Sequence, residues 1–353
     1  MNPILFTSTD ESTGKTAIAL AVARTADERG VNTGYMKPKG TRLQSNVGKT
    51  LDEDPLLARE LLDLDAEVHE LEPVVYSQTL IESALRGQAD SEELRERVTT
   101  SYHGLADDRD LIVVEGGNRL STGGIIDLTD RAVADLLDAR VVLIAHYDEP
   151  GDVDDLLAAI QQLGEVDGVL FNGVSDDDYE DVTTDVIPFL EDRGIPILGV
   201  VPHQRELAGI TVADLADELG ARVLTDETSL DGLIERVTVG AMGPEAALGQ
   251  FRRTRSAAMI TGGDRPEIQT AALQASGVAC LLLTGGHSPP QAVLGRAEKA
   301  SVPVLLVPSD TITAVDRAED AIDSGPARSA DTVERMRSLL TDHLDVDMLL
   351  NLN

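Results

Sequence analysis

The sequence predicts an α/β protein, a doubly wound and mostly parallel sheet followed by a smaller α/β domain. Three observations carry that expectation. Short apolar runs at residues 4–6, 111–114, 141–145, 168–171 and 197–201 lack polar alternation, as strands buried on both faces do. Between them, apolar residues recur at three- and four-residue spacing, the pattern of helices covering a parallel sheet. Beyond about residue 236 the same alternation begins again in shorter units.

The first strand-to-helix passage is the most informative. Ile4, Leu5 and Phe6 suffice for one buried strand, and an Ala-, Ile- and Leu-rich helix opens at Lys15. Between them lies Thr9-Asp10-Glu11-Ser12-Thr13-Gly14-Lys15-Thr16, a phosphate-binding loop with its first glycine replaced by Thr9. Gly14 lets the backbone approach a phosphate, while successive N–H groups and the positive end of the helix face the anion. Lys15 can reach the outer phosphates, and Thr16 can place its hydroxyl on Mg²⁺. Thr9, Asp10, Thr13, Gly14, Lys15 and Thr16 are therefore the expected nucleotide-binding residues.

A second strand at residues 32–36 leads into Lys37-Pro38-Lys39-Gly40-Thr41, and the polar stretch to Thr50 reads as a loop over the phosphate site. Asp54 stands before Pro55 and a helical pattern at 56–62, suited to capping that helix, to binding a metal, or to both. Asp90-Ser91-Glu92-Glu93 opens another helix in the manner of a capping box. The strand at 111–114 ends in Glu115-Gly116-Gly117-Asn118. Open α/β sheets bind ligands at the carboxyl ends of their strands. Glu115 is thus expected to converge with Lys15 and Thr16 and to hold Mg²⁺, directly or through water. Asn172, at the end of its strand, reads either as an amide that pairs with adenine or as a turn residue before Gly173.

Residues 225–236 turn polar and acidic and read as a linker, so the expected domains are 1–224 and 237–345. In the second, Thr261-Gly262-Gly263 and Thr284-Gly285-Gly286 each join a strand to a helix. Such glycine pairs either bind an anion through backbone N–H groups or make tight turns without a ligand. The amphipathic stretch 331–340 reads as a helix packing on this domain or on a second subunit of a homo-oligomer.

Composition narrows the function classes. The 353 residues carry a formal net charge of −34, with five lysines and only 3% aromatics, so the core is aliphatic and the surface acidic. The acids are interspersed with apolar positions rather than gathered in a disordered tail, which suits a protein solvated at high salt. That field repels phosphate, so neither nucleic acid nor an anionic membrane is expected as a partner. The lone Cys280 sits in an apolar run and reads as a small core residue. The six histidines form no zinc-binding spacing and no G-x-S-x-G is present, which argues against zinc enzymes and serine hydrolases. The chain enters a strand at once, without a leader-like segment or a membrane-length apolar run, so the cytoplasm is its expected location.

Together, Thr9 to Thr16, Lys37-Pro38, the acidic Asp52-Glu53-Asp54 and Glu115-Gly116-Gly117 resemble the dethiobiotin synthetase branch of P-loop proteins. The resemblance implies that Lys37 joins Lys15 on the phosphates, the pair acting in catalysis. It also implies Mg²⁺ ligation by Thr16, Asp54 and Glu115, and adenine recognition by Asn172. Ser8 and Gly117-Asn118-Arg119 depart from that branch's pattern. Partitioning ATPases carry a signature lysine where Asp10 stands, which argues against them. In the second half, Val239-Gly240-Ala241-Met242, Ile260-Thr261-Gly262-Gly263-Asp264-Arg265, Thr284-Gly285-Gly286 and Ser309-Asp310-Thr311 resemble the DRTGG domain. The pair of domains in this order is similar to the N-terminal regulatory part of long phosphotransacetylases. It implies a regulatory protein that binds ATP and Mg²⁺, responds to a small metabolite and lacks phosphotransacetylase activity. The alternative is an ATP-dependent ligase or carboxylase acting on a small metabolite.

Overall fold

The computed structural model describes residues 2–10, 13–41, 43–46, 49–204, 207, 209–225, 228–240, 249, 251, 254–324 and 329–350. The chain divides into two units, residues 1–203 with 327–353, and residues 204–326.

The first unit opens with β1 (Ile4–Ser8), α1 (Lys15–Glu28), β2 (Thr33–Met36) and β3 (Lys39–Gly40). A hairpin of β4 (Leu43–Asn46) and β5 (Lys49–Asp52) leads to α2 (Asp54–Leu61), α3 (Val68–Leu71), β6 (Val74–Val75), α4 (Gln78–Leu85) and α5 (Ser91–Ala106). Then come β7 (Leu111–Glu115), α6 (Asp130–Leu137), β8 (Arg140–Ala145), α7 (Asp152–Leu163) and β9 (Gly168–Val174). A helical stretch of α8 (Tyr179–Asp181), a π turn (Val182–Val186) and α9 (Ile187–Glu191) precedes β10 (Ile197–Pro202). The main sheet runs β10-β9-β8-β1-β7-β2, with every pairing parallel. β1 lies between β7 and β8, with Phe6 in register with Glu115, so the loop after β1 and the acid ending β7 emerge side by side. The doubly wound expectation holds because these strands are apolar on both faces and buried along their length.

Helix α1 is apolar almost all round, and its Ala17 to Ala23 are buried without exception. A helix of that kind needs cover on more than one face. The C-terminal helix Ala330–His343 is in this unit and buries Val333, Met336 and Leu340, while its Arg337 donates to Glu28 on α1 at 2.9 Å. The expectation that this helix packs in the second domain is thereby corrected: the unmet apolar face of α1 holds it. The expected irregular loop after Gly40 is in part the β4–β5 hairpin, with residues 42, 47 and 48 outside the described residues.

The second unit has a five-stranded sheet. Its strands are Arg222–Val223 (β12), Arg236–Val239 (β14), Ala257–Gly262 (β15), Val278–Thr284 (β16) and Val304–Leu306 (β17), ordered β12-β17-β16-β15-β14. Strands β14 to β17 pair in parallel, and β12 joins antiparallel. A small pair, β11 (Ile210–Thr211) and β13 (Leu233–Ile234), stands apart from it. The helix Val212–Leu219 belongs to this unit, because Val212, Leu215 and Leu219 share a core with Ile260, Leu282 and Leu305. By compactness the first stretch of the first unit ends at residue 203, ahead of the expected 224. The expected linker instead carries β13 and the start of β14, since Ile234 is an apolar residue to bury within the acidic run. Cys280 is buried in the same core, as expected, and burial pushes its thiol up to about 12. No helix among the described residues is long and apolar enough to cross a membrane.

Candidate functional site

The backbone geometry of the loop after β1 suits its glycine. Gly14 adopts a left-handed conformation (φ +79°) at the start of α1, and a Cβ there would lie 2.6 Å from the Asn172 amide nitrogen. Only glycine meets both conditions without strain. The loop is tied down on two sides: the Thr9 N–H donates to the Ile144 carbonyl at 3.1 Å, and Asn172 Nδ2 donates to the Thr13 carbonyl at 2.8 Å. Ser8 Oγ donates to the Asp10 carbonyl at 2.7 Å. Glu11 and Ser12 lie outside the described residues. The Thr13 hydroxyl is buried without a hydrogen-bond partner.

Lys15 and Thr16, each 9% exposed, turn toward the ends of β1 and β7. Lys15 Nζ donates to the Gly117 carbonyl at 2.5 Å and to Ser8 Oγ at 3.1 Å. Thr16 Oγ1 donates to Glu115 Oε1 at 2.7 Å, and the Tyr35 hydroxyl donates to Glu115 Oε2 at 2.7 Å. Burial raises the Glu115 carboxyl above its ordinary range and Asp54 reinforces the shift, while Lys37, Lys15 and Tyr35 oppose it.

Lys37 is buried among acids. Its ammonium pairs with Asp54, with Asp52 at 2.8 Å and with Glu115 at 3.7 Å. Burial by itself would lower the Lys37 pKa, but Asp54, Glu115 and Asp52 together raise it. Asp54 is not the N-cap of α2; Glu53 takes that position. The Asp54 carboxylate faces Lys37 instead, and Asp52 Oδ1 accepts the Asp54 N–H at 3.1 Å. The structure thus brings Lys15, Thr16, Lys37, Asp54 and Glu115 into one buried cluster, with Asn172 bracing the loop from β9.

The donor chemistry fits a hard divalent cation. Asp52, Asp54 and Glu115 outnumber the cation Lys37 that they surround, and the Thr16 hydroxyl stands beside Glu115. Among the described residues no three His, Cys, Asp or Glu side chains form a metal cage. Mg²⁺ needs none, because it commonly takes one or two carboxylates and completes its shell with phosphate and water.

Several residues here escaped the sequence reading. Tyr35 did: it sits on β2 two residues before the expected Lys37, so the two share a side, and that alternation was the available signal. Asp52 lies within the acidic triplet but had no mark to set it above Asp54. Lys39 pairs with Asp130 at 2.6 Å, both of them buried. Asp130 follows Thr129 at the start of α6 and looks like an ordinary first-turn acid.

In the second unit the glycine turns engage their own N–H groups. The Gly263 N–H donates to the Thr284 carbonyl at 3.1 Å, Gly285 to Ser309 at 2.8 Å, and Gly286 to Val307 at 3.1 Å. Thr284 and Thr311 share a hydrogen bond at 2.9 Å, Gln269 Nε2 holds the Gly262 and Gly263 carbonyls, and the half-buried Arg265 donates to the Gly240 carbonyl at 2.6 Å.

Comparison with known proteins places the domain that carries this loop. Residues 2–224 match the AAA domain family, well over half of the chain. The chain belongs to the AAA domain family. Residues 214–321 match the DRTGG domain, so the AAA domain is followed by a DRTGG domain as the resemblance implied. Phosphate acetyltransferase of Pseudomonas putida is 25% identical, over 99% of this chain and 51% of its own length. That of Haemophilus influenzae is 24% identical, over 96% and 51%. The pattern is that of the phosphotransacetylase N-terminal-like family, and the chain spans about half the length of the curated relatives it matches. Among solved structures, the CBS and DRTGG domains of the regulatory region of Clostridium perfringens pyrophosphatase, complexed with diadenosine tetraphosphate, are 19% identical. The match covers 43% of this chain and 74% of that one at a TM-score of 0.29, too loose to transfer a ligand.

Proposed function

We propose that this chain is a regulatory protein that binds Mg-ATP at the loop between β1 and α1 and passes the occupancy of that site to an acetyl-phosphate or acetyl-CoA enzyme. The observation that carries the reading is the meeting of Lys15, Thr16 and Glu115 where β1 and β7 end. There the N–H groups and positive end of α1 favour an anion. Lys15 takes the outer phosphates, and Thr9, Asp10, Thr13 and Gly14 line the chain around them. Thr16, Asp54 and Glu115 would hold Mg²⁺, which supplies charge neutralisation on the phosphates. Lys37 belongs to the same cluster and adds a second cation once phosphate is present. The DRTGG domain is the part that contacts a small metabolite or the partner enzyme.

Calorimetry with ATP and Mg²⁺ in molar salt tests this reading. Saturable heat with wild type and none with Lys15→Ala is expected; equal heats, or none with either protein, reject it.

The position of Lys37 supports a second reading, an ATP-dependent ligase or carboxylase. A lysine already buried beside Asp54 and Glu115 suits phosphoryl transfer, which depends on positioning and electrostatics rather than on a protein nucleophile. ADP release stimulated by one small carboxylate or amine, and lost in Glu115→Ala, would favour it over the regulator.

A further inference from the structure

The Lys15 ammonium donates to Ser8 Oγ and to the Gly117 carbonyl. Asp130 holds the Gly117 peptide directly and reaches Ser8 through its neighbour Thr7. Asp130 Oδ1 accepts the Gly117 N–H at 2.9 Å, and Asp130 Oδ2 accepts from the hydroxyl of Thr7, the residue before Ser8, at 2.5 Å. Lys39 completes the arrangement by donating to Asp130 Oδ1 at 2.6 Å.

The surroundings are built to admit this carboxylate. A Cβ on Gly116 would fall 2.3 Å from Asp130 Oδ2. The Lys39 side chain runs close against Gly117 and Gly123, where added Cβ atoms would stand 2.9 Å from its Cε and 3.1 Å from its Cδ. Thr7, Lys39 and Asp130 are all buried, so the carboxylate is kept charged by its partners rather than by water.

We infer that Asp130 is a positioning residue for the phosphate site: it locks the turn after β7 to the end of β1 and so sets where the Lys15 ammonium points. The inference deepens the proposed Mg-ATP reading and rests on it. Asp130 acts through Gly117, Thr7 and Lys15 and does not itself meet the nucleotide. Its removal should therefore move the lysine as well as weaken the fold.

Five lysines make the chain suited to NMR of ¹³Cε-labelled lysine, with the Lys15 signal assigned by its loss in Lys15→Ala. In Asp130→Asn the Lys15 signal should shift, and Mg-ATP affinity should fall roughly tenfold, as for a lost charge-assisted hydrogen bond. Thr7→Val, which removes one hydrogen bond and keeps the Lys39 pair, should do both to a smaller degree, and it decides the matter if Asp130→Asn does not fold. A merely structural role would lower thermal stability and leave the Lys15 signal where it was. Wild-type binding of Mg-ATP with an unmoved Lys15 signal in either variant overturns this inference alone. A wild type that binds no Mg-ATP overturns it together with the reading beneath it.

Discussion

The two units present the same device, glycine turns at the carboxyl ends of parallel strands, and put it to different use. In the first, the turn after β7 carries a carbonyl that holds Lys15, and charged side chains crowd around it: Lys37 with Asp52, Asp54 and Glu115, and Lys39 with Asp130. In the second, the N–H groups of Gly263, Gly285 and Gly286 are bonded to neighbouring backbone, and the side chains that tie the turns together are threonines, a glutamine and the half-buried Arg265, with no buried ion pair among these described side chains. Buried charge costs several kcal/mol per ion unless it is paired. Its concentration at the strand ends of the first unit is what the proposed phosphate and Mg²⁺ reading rests on, and glycines alone would not supply it.

The largest effect that sharpens this contrast is expected at Lys37. Lys37→Met strands three buried acids and should lower the stability of the first unit by about 3–5 kcal/mol. Added Mg²⁺ should recover much of that loss and stabilise the variant more than it does wild type. Urea unfolding with and without the cation measures both, and an equal Mg²⁺ response in the two proteins would separate the acids from the metal.

Glu72 gives the contrast a pH dependence. It lies so close to Gly40 that a Cβ there would fall 2.1 Å from its carboxyl carbon, and its Oε2 is buried without a hydrogen-bond partner. Burial first, then Asp52 and Asp54, push its pKa up to about 8 from an ordinary 4.5, against the pull of Lys37. The folded state thus keeps a proton that the unfolded state releases. Its contribution is fully present below pH 4.5 and is lost as the pH rises through about 8. Glu72→Gln keeps the neutral form at every pH, so its stability should match wild type at the acid end and exceed it increasingly toward pH 8. Parallel thermal-denaturation profiles of the two proteins would contradict this.

Smaller effects are expected in the second unit, and none should touch nucleotide binding. Gln269→Leu removes the donor shared by the Gly262 and Gly263 carbonyls and should cost about 1–3 kcal/mol. Gly285→Ala, at φ +77°, forces a side chain into the left-handed region, at a cost of about 1–2 kcal/mol. Gly14→Ala adds the same strain at φ +79° and also crowds Asn172, so unlike Gly285→Ala it should weaken Mg-ATP binding. Calorimetry on the pair reads that difference directly.

Much of the first unit was legible because its signals are local. An apolar strand, a Gly-Lys-Thr turn and an apolar helix follow one another within residues 4–28, and Glu115 ends an apolar run. What was not legible depends on partners far apart in the chain. Asp130 meets Lys39 and Thr7 across 91 and 123 residues. The helix Ala330–His343 meets α1 from the opposite end of the chain, and no pattern inside it says which apolar face it will cover. The end of the compact first stretch at residue 203 was not legible for the same reason. The helix Val212–Leu219 is equally amphipathic in either unit, and only its core partners assign it. Asp54 shows the limit of local rules: its place before Pro55 suits a cap, yet a buried lysine brought by β2 claims its carboxylate.

Diffraction from crystals grown with Mn²⁺ and a non-hydrolysable ATP analogue tests the central claim most directly, because the anomalous signal locates the metal and the density locates the phosphates. The account predicts phosphates on the Gly14, Lys15 and Thr16 turn, with the manganese peak beside the Thr16 hydroxyl and the Asp54 and Glu115 carboxylates. Nucleotide on the Thr284-Gly285-Gly286 turn instead, with Lys37 still enclosed by its acids and no metal near Thr16, would contradict it.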